Sequence, residues 1–180
     1  MKRIICLILA LSSTTHANQL PFTGPIDLGA EIECLALNIY HEARSERTAG
    51  MWAVADVTIN RVKSISYPNT VCEVVYQGPV YESWKTARFD HLPDSERIYN
   101  PVKGMCQFSW YCDGRSDEPT EPDSWQRAKD IAYGVMNHDL GLGLTDGSDH
   151  YHANFIEPFW APHMTLVTTI GNHKFYKSIR

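Results

Sequence analysis

The chain has 180 residues, of which 43% are hydrophobic and 21% charged, with a formal net charge of −5. That balance excludes a disordered or low-complexity chain. The acidic excess argues against a nucleic-acid partner, which would need a basic face, but says nothing against neutral polymers gripped through hydroxyls and stacking faces.

The first seventeen residues read as a secretory signal peptide. Lys2 and Arg3 give a basic start, Ile4 to Leu11 is apolar, and Thr15-His16-Ala17 ends on a small residue suited to cleavage. The apolar run is too short to span a bilayer, and no second run follows, so no membrane span is expected in the mature chain. The protein is expected to be exported, periplasmic or secreted. Residues 18–180 are enough for one domain with its own core.

Residues 18 to 29 are expected to form an extended lead-in broken by Pro21, Gly24 and Pro25. From about Leu28 to Arg44 the apolar side chains Ile32, Leu35, Ala36, Ile39 and Ala43 recur at the spacing of one helix face. At about 100° per residue, Glu42 falls beside Leu35 at the edge of that stripe. A carboxylate half sunk in apolar surroundings should have its pKa raised, which is what a general acid near neutral pH requires. The same spacing suits either a general acid or an ordinary boundary glutamate, solvated or paired with a nearby Arg or Lys.

A second helix should start near Thr48, a suitable N-cap, and run to about Val62. Met51, Val54, Ala55, Thr58 and Val62 share one face while Trp52 and Ile59 widen it, as in a helix central to a core. Val71 to Tyr76 reads as a short helix or turn. Gly78 to Gly104 reads as a long loop with a helical turn around Glu82 to Ala87. A third helix follows Pro122 and Asp123. The tail carries strand signals at 150–155, 164–169 and 173–177, the last two joined by a Gly171-Asn172 hairpin turn. Three helices and a small antiparallel sheet make an α+β domain.

Removing the signal leaves Cys34, Cys72, Cys106 and Cys112. In an exported chain these suggest two disulfides, with three possible connectivities. Cys106 and Cys112 bracket a strand-like run that a bridge could close, which would leave Cys34, on the side of the first helix away from its stripe, to reach Cys72. A zinc site is the rival, but no Cys-x-x-Cys occurs.

Histidine offers a second chemistry. His41-Glu42 would begin a zinc-protease helix motif, but the required histidine four residues on is Ser45. His150 and His152 would share one strand face, compatible with a metal or with the wall of a substrate groove. Glu46, four residues after Glu42, would make a two-carboxylate glycosidase if the helix continued; the helix is expected to end near Ser45, which gives Glu46 a capping or ion-pair role. Aromatic faces near polar groups at Gln107, Ser109, Trp110 and Tyr151 suit sugar rings.

Several stretches together resemble the SleB-like cell wall hydrolase family, known from spore-cortex-lytic enzymes. They are Leu35-Ala-Leu-Asn-Ile-Tyr-His-Glu-Ala-Arg-Ser-Glu46, Ala53-Val-Ala-Asp-Val-Thr-Ile-Asn-Arg-Val-Lys63 and Tyr67-Pro-Asn-Thr-Val-Cys-Glu-Val-Val-Tyr-Gln77. Further on come Cys106-Gln-Phe-Ser-Trp-Tyr-Cys-Asp-Gly114, His150-Tyr-His-Ala153, Pro158-Phe-Trp-Ala161 and Ile170-Gly-Asn-His-Lys-Phe-Tyr176. The matches are in order and span nearly all of residues 18–180. Where the family usually has Gly, this chain has Ser45, which bears on the turn after the first helix.

The resemblance implies a lysozyme-related helical domain with a small antiparallel sheet. It also implies a lytic transglycosylase or muramidase with one catalytic glutamate, mapping onto Glu42, which cleaves between N-acetylmuramic acid and N-acetylglucosamine. The glutamate would act first as acid and then as base, with no cofactor and no metal. Expected substrate contacts are Asn60, Gln107, Ser109, Trp110, Tyr151 and His152. The expected partner is the glycan strand of peptidoglycan, and the protein is expected to act as a monomer. A zinc-dependent amidase or peptidase, and a non-catalytic glycan-binding module, are the alternatives.

Overall fold

The computed structural model describes residues 25–178; the expected signal peptide and most of the lead-in lie outside the described residues. Helix α1 spans Leu28–Ala43, opened by the Asp27 carboxylate, which accepts from the Gly29 and Ala30 amides. Helix α2 spans Thr48–Val62. Its N-cap is Arg47 without a side-chain bond, so Thr48, expected to cap, is already the first helical residue. The chain between the helices turns without left-handed backbone at Ser45, so a serine is accommodated where the family has glycine.

Along α2 every residue from Ala53 to Ile59 is buried. One face joins Leu35, Ile39, Met51, Val54 and Ala132 in the main core, and the opposite face puts Ala53 and Val57 against Phe175 of the sheet. The helix is therefore the layer between the other helices and the sheet. Truncating a fully buried residue such as Leu35 or Ile39 to alanine would cost about 2–5 kcal/mol.

Helix α3, Val71–Val75, is capped by Thr70 and by Glu31, whose carboxylate accepts from the Val71 amide at 2.5 Å. Cys34 pairs with Cys72 there. Cys34 is on the side of α1 away from its apolar stripe, as expected, and is buried because α3 covers that side. Cys106 pairs with Cys112.

Residues 78–104 differ from the long loop expected. Strands β1 (Val80–Glu82) and β2 (Tyr99–Pro101) pair antiparallel around helix α4 (Trp84–Ala87), so the helical turn starts after Glu82. Ser83 caps α4, and Arg97 Nη1 donates to Glu82 Oε1 at 2.7 Å to close the hairpin's base. The run between Cys106 and Cys112 is not a strand either: Ser109–Cys112 is a 3-10 turn. Its bridge shortens the span, and Trp110 is drawn inward by its indole bond to Asn38.

Helix α5 spans Pro122–His138 and packs on α1 and α2. Strands β3 (His150–Ala153), β4 (Thr165–Ile170) and β5 (His173–Lys177) form an antiparallel sheet in the order β3-β5-β4. β3 ends at Ala153 rather than Phe155, because the Ile156 amide turns back to the Ala153 carbonyl. Among the described residues there are five α-helical segments and two small sheets, so the fold is α+β. Among the described residues no helix is long and apolar enough to cross a membrane.

Candidate active site

Glu42 lies in the last turn of α1 and is half-buried. The Tyr151 hydroxyl donates to its Oε2 at 3.1 Å. Burial raises the Glu42 pKa above the ordinary carboxylate value, and the Tyr151 bond and the Arg61 charge offset only part of that. A proton held at higher pH than usual is the electrostatic condition for a general acid.

Tyr151 is placed by the pleat of β3. Opposite Phe175 in the register, it points to the face that packs on α2, with its ring 5.7 Å from that of Phe175. Burial raises its own pKa well above the ordinary phenol, with the Glu42 charge adding to the effect. The hydroxyl therefore remains a donor to the carboxyl over the working pH range.

The chain leading to β3 is tied to α2 by buried polar side chains. The Asp56 carboxylate accepts from the Gly143 and Thr145 amides at 2.8 Å each and from the Thr145 hydroxyl at 2.7 Å. Asn60 Nδ2 donates to the Ser148 carbonyl at 3.0 Å and to Thr145 Oγ1 at 3.3 Å. These bonds fix where β3 begins, and so fix Tyr151 against Glu42.

Glu42 sits where two cavities meet. One, of about 290 Å³, is lined among others by Tyr40, His41, Trp110, Asp113 and Asp117. The other, of about 250 Å³, is lined by Arg61, Gln107, Phe108, His150, Tyr151 and Trp160. Among the described residues, only Glu42 and Ser109 line both. The floor of the first is rigid. Asn38, fully buried, accepts from the Trp110 indole at 3.1 Å and donates to Thr58 Oγ1 at 3.1 Å. The His41 ring stacks on Trp110 at 4.5 Å, with Nε2 3.0 Å from the Asp117 carbonyl.

Of the residues expected to touch a substrate, Gln107, Ser109, Trp110 and Tyr151 line these cavities. Asn60 and His152 do not. Asn60 spends its amide on the loop before β3, and His152 is buried on the other side of the strand from Tyr151, where it stacks on Tyr176 at 5.2 Å. Glu46 is also directed elsewhere. Its buried carboxylate accepts from the Asn172 amide at 3.3 and 3.2 Å and lies 3.8 Å from His173 Nδ1, which holds the β4–β5 turn against α2's start. That is the structural role expected of it.

Arg61 went unrecognised. It is 3% exposed, yet lines the cavity, with Nε donating to the Asp149 carbonyl at 2.8 Å. With the Gln107 amide oxygen turned toward it, both terminal nitrogens reach that oxygen, at 3.2 and 3.3 Å. The Phe108 ring lies 5.0 Å from its guanidinium. Its signal was positional: Arg61 follows Val54 by seven residues and Thr58 by three, on the buried face of α2. Among the described residues no group of three or more His, Cys, Asp and Glu is placed to hold a metal ion.

The model of the cell wall hydrolase family matches residues 45–176. The chain belongs to this family. A spore cortex-lytic enzyme of Bacillus cereus is 45% identical over 99 residues, covering 44% of this chain. The chain matches only 38% of that relative's length. The catalytic domain of the Bacillus cereus SleB protein superposes with a TM-score of 0.53 at 23% identity, over 87% of this chain and 95% of that domain. The catalytic domain of the germination-specific lytic transglycosylase SleB from Bacillus anthracis gives the same score and identity over 86% and 98%. These two share the α+β fold described above. Glu42 lies just ahead of the span the family model matches.

Proposed function

We propose that this cell wall hydrolase cleaves peptidoglycan glycan strands between N-acetylmuramic acid and N-acetylglucosamine, as a lytic transglycosylase or muramidase with Glu42 as its one catalytic glutamate. The observation that carries this reading is the place of Glu42 at the junction of two cavities. A polymer bound across both would present the bond between two sugars to the carboxyl. Stacking faces, which sugar rings need, line both halves, Trp110 in the first and Trp160 in the second, where the Gln107 amide joins it.

Glu42, whose pKa burial raises, would donate a proton to the glycosidic oxygen as the bond breaks. Tyr151 holds Oε2, which leaves Oε1 to carry the acid proton. Attack by the muramoyl 6-hydroxyl would close a 1,6-anhydro ring, and the Glu42 carboxylate can take that hydroxyl's proton afterwards, so one glutamate is chemically sufficient. The Bacillus anthracis domain is named a lytic transglycosylase, in agreement with this chemistry. Residues 1–17 would direct export and residues 18–180 would form the single catalytic domain, and the two disulfides suit an oxidising compartment. Incubating the protein with purified sacculi and weighing the released fragments by mass spectrometry tests the reading. Muropeptides ending in anhydromuramic acid or in reducing muramic acid support it; intact sacculi, or fragments cut only in the peptides, refute it.

A further inference from the structure

Among the described residues, three arginines line the two cavities that meet at Glu42. Two of them are solvated and have acidic partners: Arg44 Nε lies 3.0 Å from Glu121 Oε1, and Arg115 Nε lies 3.9 Å from Asp113 Oδ2. Arg61 differs on both counts. It is buried, and among the described residues no carboxylate forms an ion pair with it. Asp149 meets it through the main chain, its carbonyl accepting from Arg61 Nε at 2.8 Å. The Asp149 carboxylate is engaged elsewhere, accepting from the Ser178 amide at 3.0 Å and hydroxyl at 2.7 Å and lying 3.0 Å from His150 Nδ1.

Taking a cation out of water is costly unless dipoles or an opposite charge replace the solvent. Around Arg61 the replacement is neutral. With the Gln107 amide oxygen turned inward, both terminal nitrogens reach it at 3.2 and 3.3 Å, and the Phe108 and Tyr67 rings lie 5.0 and 5.5 Å from the guanidinium. These contacts fix the cation in the wall of the cavity that Glu42 and Tyr151 share, and none of them cancels its charge. A charge needs no bonding direction to act across a cavity walled by protein. Glu42 feels it: the Tyr151 bond and the Arg61 charge both pull its pKa down against burial. The other titratable groups facing Glu42 are Tyr151 and His150 in the shared cavity, and Tyr40, His41, Asp113, Asp117 and Glu118 in the first.

We propose that Arg61 is an electrostatic positioning residue of the acid step, a buried cation without an ion pair that stabilises the carboxylate Glu42 becomes on giving up its proton. The proposal rests on the glycosidic-cleavage reading of Glu42 and deepens it. In the step, the bond from C1 to the bridging oxygen breaks with its electron pair, and that oxygen takes the proton of Glu42. The site gains a negative charge beside a cation already in place, so the attraction is stronger in the transition state than in the resting enzyme. The carboxylate then takes the proton of the muramoyl 6-hydroxyl as that oxygen bonds C1, and the acid is restored. A purely structural Arg61 would brace Asp149 and Gln107 whatever the charge on Glu42.

The test compares wild type with Arg61→Gln and Arg61→Lys on purified sacculi, following released muropeptides across pH, with circular dichroism to confirm folding. Arg61→Gln removes the cation and should lower kcat by roughly tenfold or more. Its alkaline limb should move to higher pH, because Glu42 then holds its proton more tightly. Arg61→Lys keeps the charge but loses the fork of hydrogen bonds, so it should recover part of the rate and leave the limb near its wild-type position. Where loss of Arg61 unfolds the chain, Gln107→Glu takes its place: the new carboxylate would pair with both terminal nitrogens and cancel the charge, and the limb should again rise. A folded Arg61→Gln protein whose limb stays in place overturns the assignment and leaves Arg61 a brace. An Arg61→Lys limb displaced as far as that of Arg61→Gln overturns it as well, and so does an unmoved limb in Gln107→Glu. Those results leave the reading of Glu42 standing, whereas wild-type protein that releases no glycan fragments overturns both.

Discussion

The Tyr151 hydroxyl bonds Glu42 Oε2 at 3.1 Å across 109 residues of sequence, joining the end of α1 to the middle of β3. The bond favours the charged carboxylate, so it lowers a pKa that burial has raised. Removing it with Tyr151→Phe should raise the Glu42 pKa further. The acid is active while protonated, so activity falls as pH rises through its pKa, and the variant's alkaline limb should move to higher pH. Initial rates across pH on a soluble glycan substrate read this directly. A limb that stays in place or moves down would mean that the Tyr151 bond does not tune Glu42.

Gly171 is held in place by two constraints. Its φ of 59° suits the first position of the hairpin turn, and a Cβ there would collide with the Glu46 carboxylate. Gly171→Ala should therefore destabilise the fold by at least about 1–2 kcal/mol, the usual cost of a left-handed backbone for an L-residue. At this size each kcal/mol lowers Tm by roughly 2–4 °C, so thermal melts resolve it. An unchanged Tm would mean the turn relaxes without cost.

Non-reducing peptide mapping should recover Cys34 linked to Cys72 and Cys106 linked to Cys112. Each bridge is expected to contribute roughly 2–4 kcal/mol, so reduction should lower the melting temperature. Free thiols or crossed pairs would contradict the structure.

Both proton transfers are assigned to side chains, so cleavage should survive exhaustive EDTA treatment with its rate unchanged. Loss of activity on chelation, restored by zinc, would move the chemistry to a metal-dependent amidase or peptidase.

The long helices and the β4–β5 hairpin were legible because many positions report one period: α2 alone buries seven consecutive residues. Strands β1 and β2, of three residues each, offer too few positions for alternation to register. The Gln107–Tyr111 run has strand-like composition, but its bridge and the bond from Trp110 to buried Asn38 override it. In the candidate site, the half-buried position of Glu42 was readable because a carboxylate at the edge of an apolar stripe is a local pattern. Asn60 and His152 show the opposite case: polarity names a hydrogen-bonding group but not its direction, and both spend their bonds inside the protein. Arg61 was hidden because its partners, Gln107 and Asp149, come from distant loops.

The most direct test of the account compares Glu42→Gln with Glu46→Gln on purified sacculi, with folding verified for both. Glu42→Gln should lose about 10²–10⁴-fold or more in cleavage rate while melting like wild type, since it removes the acid and leaves the core intact. Glu46→Gln should keep most of the activity, because its carboxylate braces the β4–β5 turn and lines neither cavity. Two folded variants that are equally inactive, or a Glu42→Gln protein that still releases glycan fragments at the wild-type rate, would contradict it.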